Sequence, residues 1–185
     1  MVSRDGRKAA CVEAYARLKN LKLVGEELGI PWQTVYVYLR GAGVPVTGDK
    51  SRYGSDTDRL AAKAERIFAT LVPNAADQND VQFQAKVDFI VGNYKVDVKA
   101  SRLRNGRWAF SLKKQERLAD FFVCFAFNDD GTYRTVVVPG ELCRFIQTIS
   151  LSALTRTKWW DYEIPATELR AFFEQCRAAD QEQAA

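Results

Sequence analysis

The chain has 185 residues, enough for one domain or for a small domain joined to a medium one. Its formal net charge is +4, which suits an anionic partner. Histidine is absent, which excludes HNH nuclease sites, His-bearing zinc fingers and Ser-His-Asp triads. Any metal must then be a hard cation bound by oxygen, which favours Mg²⁺, with Mn²⁺ as the alternative.

Two absences bear on location. No run approaches the roughly 20 apolar residues of a membrane span, and the first residues lack the apolar core of a signal peptide. The four cysteines include no C-x-x-C pair and are expected to be buried free thiols. We therefore expect an intracellular, cytoplasmic protein without membrane contact, in a bacterial or phage-type setting.

The first 45 residues predict a small bundle of three helices. Apolar spacing places the first helix over residues 7–18 and the second over 21–28. A third begins at Ile30, with Pro31 at its first position, and ends near Gly41. Residues 23–36 look like a helix-turn-helix, so the bundle is predicted to be a DNA-binding domain spanning residues 1–45.

In a helix-turn-helix, the early exposed positions of the second helix face the major groove. Gln33 is the strongest candidate, because its amide can pair bidentately with adenine. Arg40 is better suited to a phosphate. The alternative is a small helical module that binds protein, for which exposed aromatic side chains would serve equally well. The predicted base-contact residues are Trp32, Gln33, Thr34, Tyr36 and Val37.

Residues 46–57 are rich in Gly, Ser, Thr and charge without apolar periodicity, which predicts a linker. Residues 61–71 follow as a helix whose apolar stripe is bordered by Glu65. A short strand is expected at residues 81–83.

Residues 86–99 predict a β-hairpin that carries polar side chains on one face. Two apolar-alternating runs flank Gly92-Asn93, a two-residue turn that would place Val91 opposite Tyr94. Asp88 would then lie directly opposite Asp97, with Cβ atoms roughly 5 Å apart. Like charges opposite each other destabilise a sheet, so this pair requires a cation or a proton between its members. A divalent metal with Lys99 beside it satisfies the arrangement.

These residues resemble the PD-(D/E)XK nuclease signature, since Asp88 is followed nine residues later by Asp97-Val98-Lys99. The resemblance implies that Asp88, Asp97 and the carbonyl of Val98 hold Mg²⁺. It also implies that an upstream helix contributes a glutamate, here Glu65, and that Lys99 assists the attacking water. A DNA endonuclease acting on double-stranded DNA is the implied function. A solvated D-x-K strand face without catalytic function is the alternative.

The stretch after the hairpin is strongly basic. Residues 95–114 contain seven Lys and Arg, with Asp97 the only acid. Such a cluster beside a carboxylate site predicts a cradle for the phosphate backbone. The residues that we assign to DNA are Arg102, Lys113 and Lys114. A solvated loop is an equally good interpretation of Arg102, Arg104 and Arg107, which surround a Gly-containing turn.

The remaining pattern predicts a strand at 108–112, a short helix at 113–118, a central strand at 121–127 and another strand at 133–138. The Phe-Ser-Leu at 110–112 and the Val-Val-Pro ending at Pro139 resemble the PD-(D/E)XK group that includes an intron-encoded homing endonuclease. Trp159 and Trp160 are expected to anchor the tail to the core, ahead of a helix from Pro165. Disorder is expected from Asp180.

The combined prediction is an α+β protein, with a small helix-turn-helix bundle followed by a restriction-endonuclease-like α/β core with a mixed central sheet at residues 58–180. The expected activity is Mg²⁺-dependent cleavage of DNA in the manner of a homing endonuclease. A non-catalytic DNA-binding regulator, a restriction endonuclease and a Holliday junction resolvase remain as alternatives. Because one active site cuts one strand, a homodimer or higher homo-oligomer is expected.

Overall fold

The computed structural model describes residues 4–46, 54–78, 86–112 and 119–183. These residues divide into two compact units, one that ends at Ser55 and one that begins at Asp56. The predicted α+β class with a mixed central sheet is confirmed. Within the described ranges, no helix combines the length and the apolar character that crossing a membrane requires.

The first unit contains three helices: α1 (Arg4–Leu18), α2 (Leu21–Leu28) and α3 (Trp32–Gly41). The Asn20 side chain caps α2 by accepting the N–H groups of Lys22 and Leu23. Gly29 ends α2 with φ of 63°, a left-handed conformation that glycine adopts without strain. The core of the unit is formed by Cys11, Ala14, Tyr15, Val24, Val35 and Leu39.

Two predicted helix starts in this unit were wrong. The first helix begins at Arg4, three residues before the predicted start at residue 7. Pro31 stands before α3 with ψ of 139°, so it precedes the helix instead of occupying its first position, and Ile30 does not open it. The fixed φ of proline still directs the chain into the helix.

The second unit begins with α4 (Asp56–Leu71), which starts five residues before the predicted position. Its first turn carries Asp56 and Asp58, which are favourable at a helix N-terminus because of the helix dipole. The predicted linker over residues 46–57 therefore loses its last two residues to α4. Residues 47–53 of that linker lie outside the described ranges, as do the predicted strand at 81–83 and the predicted helix at 113–118 with Lys113 and Lys114.

The second unit contains two sheets, formed by β1 (Ala76–Asp77), β2 (Phe89–Val91), β3 (Tyr94–Arg102), β4 (Arg107–Ser111), β5 (Phe121–Phe127), β6 (Tyr133–Pro139) and β7 (Thr148–Ser152). The main sheet has the order β1-β2-β3-β5-β6, with β3 and β5 parallel and the other neighbours antiparallel. β5 has a partner strand on both sides, as its apolar run predicts. β4 pairs instead with β7, a strand that the sequence pattern did not predict.

The main sheet is covered on both faces. On one face, α4 and the C-terminal helix α5 (Leu169–Gln183) pack over Val96, Val98 and Phe125. On the other face, the β4–β7 sheet packs with Trp159 and Trp160 over Phe122 and Cys124. Both tryptophans are more than nine-tenths buried, which confirms that they anchor the tail.

The predicted disorder from Asp180 was wrong. The helix α5 continues to Gln183, and the Tyr94 hydroxyl donates a hydrogen bond to the Asp180 carboxylate at 2.7 Å. Phe173 of the same helix lies edge to face against Phe68 of α4. The polar end of α5 is therefore held by a contact with the central hairpin that is 86 residues away in the chain.

Candidate active site

The central hairpin forms around Gly92-Asn93 as predicted. Gly92 has φ of 61°, which fits the first central position of a type II′ turn, and Val91 pairs with Tyr94. The pairing continues through Ile90↔Lys95 and ends at Phe89↔Val96. The regular pairing therefore ends at Phe89, and Asp88 lies just outside it.

Asp88 leaves the regular ladder, and its side chain replaces a main-chain carbonyl as the acceptor for Val98. Its N–H donates to the Val96 carbonyl at 3.1 Å, and its carboxylate accepts the Val98 N–H at 2.8 Å. The prediction that Asp88 pairs directly with Asp97 was therefore wrong, because the strand bends at this residue. The bend also places Val87 in the core on the other face of the sheet, away from Phe89.

Asp97 and Lys99 form an ion pair on the face predicted for them, with the carboxylate buried and the Lys99 side chain 16% exposed. The Lys99 ammonium nitrogen lies 3.0 Å from Oδ2 of Asp97 and 3.3 Å from Oδ1. Asp97 is only 3% exposed, so this carboxylate is held in a medium of low polarity. The two side chains share a face because they are two residues apart on β3.

Cys124 lies beside this pair and was not predicted to be near it. It is the partner of Lys99 in the parallel register between β3 and β5, so their side chains stand next to each other. Burial raises the pKa of the Cys124 thiol, and the ammonium of Lys99 partly opposes that effect. The thiol is therefore neutral at physiological pH and forms an inert wall of the site. Only the strand register reveals this neighbour, since 25 residues separate the two in sequence.

The predicted set of three carboxylates is not assembled. Glu65 lies on α4 next to Ala64, which packs on the sheet face of Val96 and Val98, whereas Asp97 alternates with those residues. Across the described ranges, no three His, Cys, Asp or Glu side chains are grouped closely enough to hold a metal ion. The structure brings Asp88 beside Val98 and Lys99 beside Asp97, and the role of Glu65 stays a prediction.

The oxygen atoms of Asp88, Asp97 and the Val98 carbonyl, which we call the hairpin edge, nevertheless suit a hard cation. Asp88 and Asp97 offer carboxylates, and the Val98 carbonyl points to the same edge of β3 as the Val98 N–H that Asp88 accepts. Mg²⁺ is usually held by one or two carboxylates, with waters or phosphate oxygens completing its coordination. Two carboxylates and a carbonyl therefore fit Mg²⁺ without Glu65.

A second polar feature of this unit is a cleft of about 340 Å³ at the C-terminal end of β3. Arg102, the predicted DNA contact, lines it together with Arg104 and Arg107. Asp56 and Thr57, from the first turn of α4, complete the wall. The sequence pattern predicted the basic stretch. It did not predict that the N-terminal end of α4 lies against these arginines.

In the first unit, the predicted contact residues of α3 face outward. Val37 is 59% exposed and Trp32 is 43% exposed, whereas Val35 and Leu39 are buried. The α3 side chains line a groove of about 820 Å³ with the segment 44–46. Thr34 is half-buried and does not line it. The lining residues from α3 are Trp32, Gln33, Tyr36, Val37 and Arg40.

No family model and no curated protein matches the sequence significantly. Among solved structures, the fold is similar to that of the bacterial homing endonuclease I-Ssp6803I, with a TM-score of 0.52 and 15% sequence identity. The alignment covers 71% of this chain and 99% of the homing endonuclease. At this identity the similarity establishes an endonuclease-like fold.

Proposed function

We propose that this chain is a Mg²⁺-dependent DNA endonuclease whose active site is the hairpin edge that carries Asp88, Asp97 and Lys99. The observation that supports this most is the ion pair of Asp97 and Lys99, which is buried on an endonuclease-like fold beside a second carboxylate. Burying such a pair costs desolvation energy, so its stabilising value is small. We therefore take this pair as support for a catalytic role over a purely stabilising one.

Asp88, Asp97 and the main-chain carbonyl of Val98 would hold Mg²⁺. When bound, the ion would supply positive charge to the scissile phosphate and favour ionisation of an attacking water. Lys99 carries three N–H donors, so its ammonium can contact the Asp97 carboxylate and orient the water at the same time. The apolar neighbours on β5 limit access of bulk water to this face.

The first unit would select the DNA site. Gln33, Tyr36 and Val37 lie on the exposed side of α3, where a major-groove helix presents its reading side chains. Cleavage of both strands would then require two active sites, which is why we propose a homodimer or higher homo-oligomer.

Nicking of supercoiled plasmid tests the activity. Wild type should convert plasmid to the open circle with Mg²⁺ and not with chelator, and Lys99→Ala should lose this activity. Lys158→Ala removes the same charge from an exposed position of the same unit, so it should nick like wild type. Equal nicking by Lys99→Ala and wild type would exclude the assigned site.

A non-catalytic DNA-binding regulator is the second candidate. It is favoured by the hydrogen bond from Val98 to Asp88, which gives this carboxylate a structural role, and by the absence, across the described ranges, of any group of three metal-ligating side chains. A protein that binds duplex DNA tightly but never nicks it with Mg²⁺ or Mn²⁺ would establish that function. Mapped cleavage products would separate homing, restriction and junction-resolving activities.

A further inference from the structure

We infer that the cleft of Arg102, Arg104 and Arg107 is a second phosphate site, which grips the DNA backbone away from the strand being cut. The inference rests on the proposed function for the identity of the ligand, because it takes DNA as the source of the phosphate. It does not depend on cleavage. The cleft belongs wholly to the second unit and is distinct from the pair of Asp97 and Lys99.

The hairpin tip places two arginines against each other. Arg104 and Arg107 exchange both backbone hydrogen bonds, at 2.8 and 2.9 Å, around the turn Asn105-Gly106. Both turn residues have positive φ, at 50° and 71°, as a type I′ turn requires. Like charges that face each other across two strands destabilise a hairpin. Within the described ranges, neither arginine forms an ion pair; the Asp56 carboxylate offsets part of this cost at Arg104, and a bound phosphate would offset more of it.

Arg102 lines the same cleft from the end of β3. Ala100 and Arg102 alternate with Lys99 and Ser101 along β3, and Ala100 packs in the core beneath α4. Ser101, from the face of Lys99, also lines the cleft, so the cleft lies at the end of β3 and not on one face of the sheet alone. Because neither Asp97 nor Lys99 lines it, a phosphate bound there would be a different group from the scissile phosphate.

The start of α4 forms part of the cleft wall. Asp56, Thr57 and Leu60 line the cleft, so the N-terminal end of this 16-residue helix faces the arginines. The helix dipole favours an anion at this end, and Asp56 and Asp58 already meet part of that preference. Phosphate binding in the cleft would therefore depend mainly on the three guanidinium groups, which can pair with phosphate oxygens in good geometry.

Asp56 already places a carboxylate at this position. Its Oδ1 accepts a hydrogen bond from Arg59 at 2.8 Å. Arg59 lowers the pKa of Asp56 most, and Arg102 and Arg104 contribute to the same lowering. The carboxylate therefore stays charged and competes with an incoming phosphate for the same arginines.

The test is binding of a non-specific duplex oligonucleotide in chelator, measured over a series of salt concentrations. The slope of log K against log salt is negative, and each lost phosphate contact should make it shallower by about 0.9. We expect the Arg104→Gln/Arg107→Gln variant to lose roughly 1 to 2 units of slope by this rule. The control is Arg144→Gln/Arg170→Gln, which removes the same net charge from exposed positions of the same unit. It should keep the wild-type slope, and equal losses in both variants would overturn the site.

Two further measurements identify the ligand. Asp56→Asn should bind the oligonucleotide more tightly than wild type, and unchanged or weaker binding would contradict the competition. Inorganic phosphate should raise the melting temperature of wild type more than chloride of equal ionic strength does, and the cleft variant should lose that difference. A phosphate effect without any change in the DNA slope would assign the cleft to a free phosphate compound and overturn DNA as its ligand.

These outcomes are separable from the failure of the proposed activity. Because binding is measured without Mg²⁺, a protein that never nicks DNA can still show the predicted slopes. Conversely, a cleft that fails this test leaves the Lys99→Ala comparison unaffected.

Discussion

The carboxylate of Asp88 accepts the main-chain N–H of Val98 at 2.8 Å, so a residue that we assign to Mg²⁺ also supports the central hairpin. The Asp88 carbonyl accepts the N–H of Gln78 at 2.8 Å, which holds the neighbouring edge of the sheet. Direct repulsion between Asp88 and Asp97 is thereby reduced, because the Asp88 carboxylate is turned toward an N–H group. Asp88 therefore combines a structural hydrogen bond with the metal-binding role that we propose for it.

This double role makes the stability of Asp88 variants informative. Asp88→Asn keeps an acceptor oxygen for the Val98 N–H, and we expect its unfolding free energy to lie within about 0.5 kcal/mol of wild type. Asp88→Ala loses the acceptor and should cost about 1 to 3 kcal/mol. Urea unfolding in chelator measures both. Equal stability of the Ala and Asn variants would show that the hydrogen bond contributes nothing.

The ion pair of Asp97 and Lys99 should be strongly coupled. Removing either partner from a buried pair costs about 3 to 5 kcal/mol, because the remaining charge loses its counterion. The Asp97→Ala/Lys99→Ala double variant should therefore lose less than the sum of the single losses, with a coupling of about 1 to 3 kcal/mol. A double-mutant cycle by urea unfolding measures this coupling. Strictly additive losses would mean that the two side chains do not interact.

The Tyr94 hydroxyl ties α5 to the hairpin in a pH-dependent way. The hydrogen bond to Asp180 raises the pKa of Tyr94 to about 12, above the ordinary value of a tyrosine. Because the folded pKa is the higher one, the stabilisation is complete below pH 10 and decreases as pH rises toward 12. Tyr94→Phe should cost about 1 kcal/mol at pH 8 and progressively less above pH 10. A difference from wild type that does not change with pH would contradict this account.

Gln33 should affect site selection without affecting chemistry. Gln33→Ala removes an amide that can pair with adenine, so binding to the preferred site should weaken by about 1 to 3 kcal/mol. Binding to random duplexes at low salt should change little, since that term comes from phosphate contacts. Gln181→Ala, an exposed glutamine on α5, is the matched control. Equal losses on preferred and random DNA would remove α3 as the reading element.

Local patterns predicted the parts of the site that depend on neighbouring residues. Gly92-Asn93 between two alternating runs predicted the hairpin, and the period of two predicted that Asp97 and Lys99 share a face. The apolar run at 121–127 predicted the strand that lies beside them. These features follow from backbone geometry over a few residues.

Features set by distant contacts could not be read in this way. The bend at Asp88 arises because its carboxylate takes the Val98 N–H, a contact that competes with the regular ladder. Asp180 looked like a free polar end because its partner, Tyr94, is far away in sequence. The early start of α4 did leave a local signal, the acidic first turn at Asp56 and Asp58, which the apolar stripe alone does not reveal.

The most direct measurement of the central claim is the initial rate of plasmid nicking by wild type and Asp88→Asn, at equal folded fraction, with Mg²⁺ and with chelator. Because the Asn variant keeps the structural hydrogen bond, a difference in rate reports on the chemistry and not on folding. Wild type should nick only with Mg²⁺, and Asp88→Asn should be slower by about 100-fold or more, as expected when a charge-stabilising contact of the transition state is lost. Equal rates for the two proteins, or a wild type that never nicks DNA with Mg²⁺, would contradict the account.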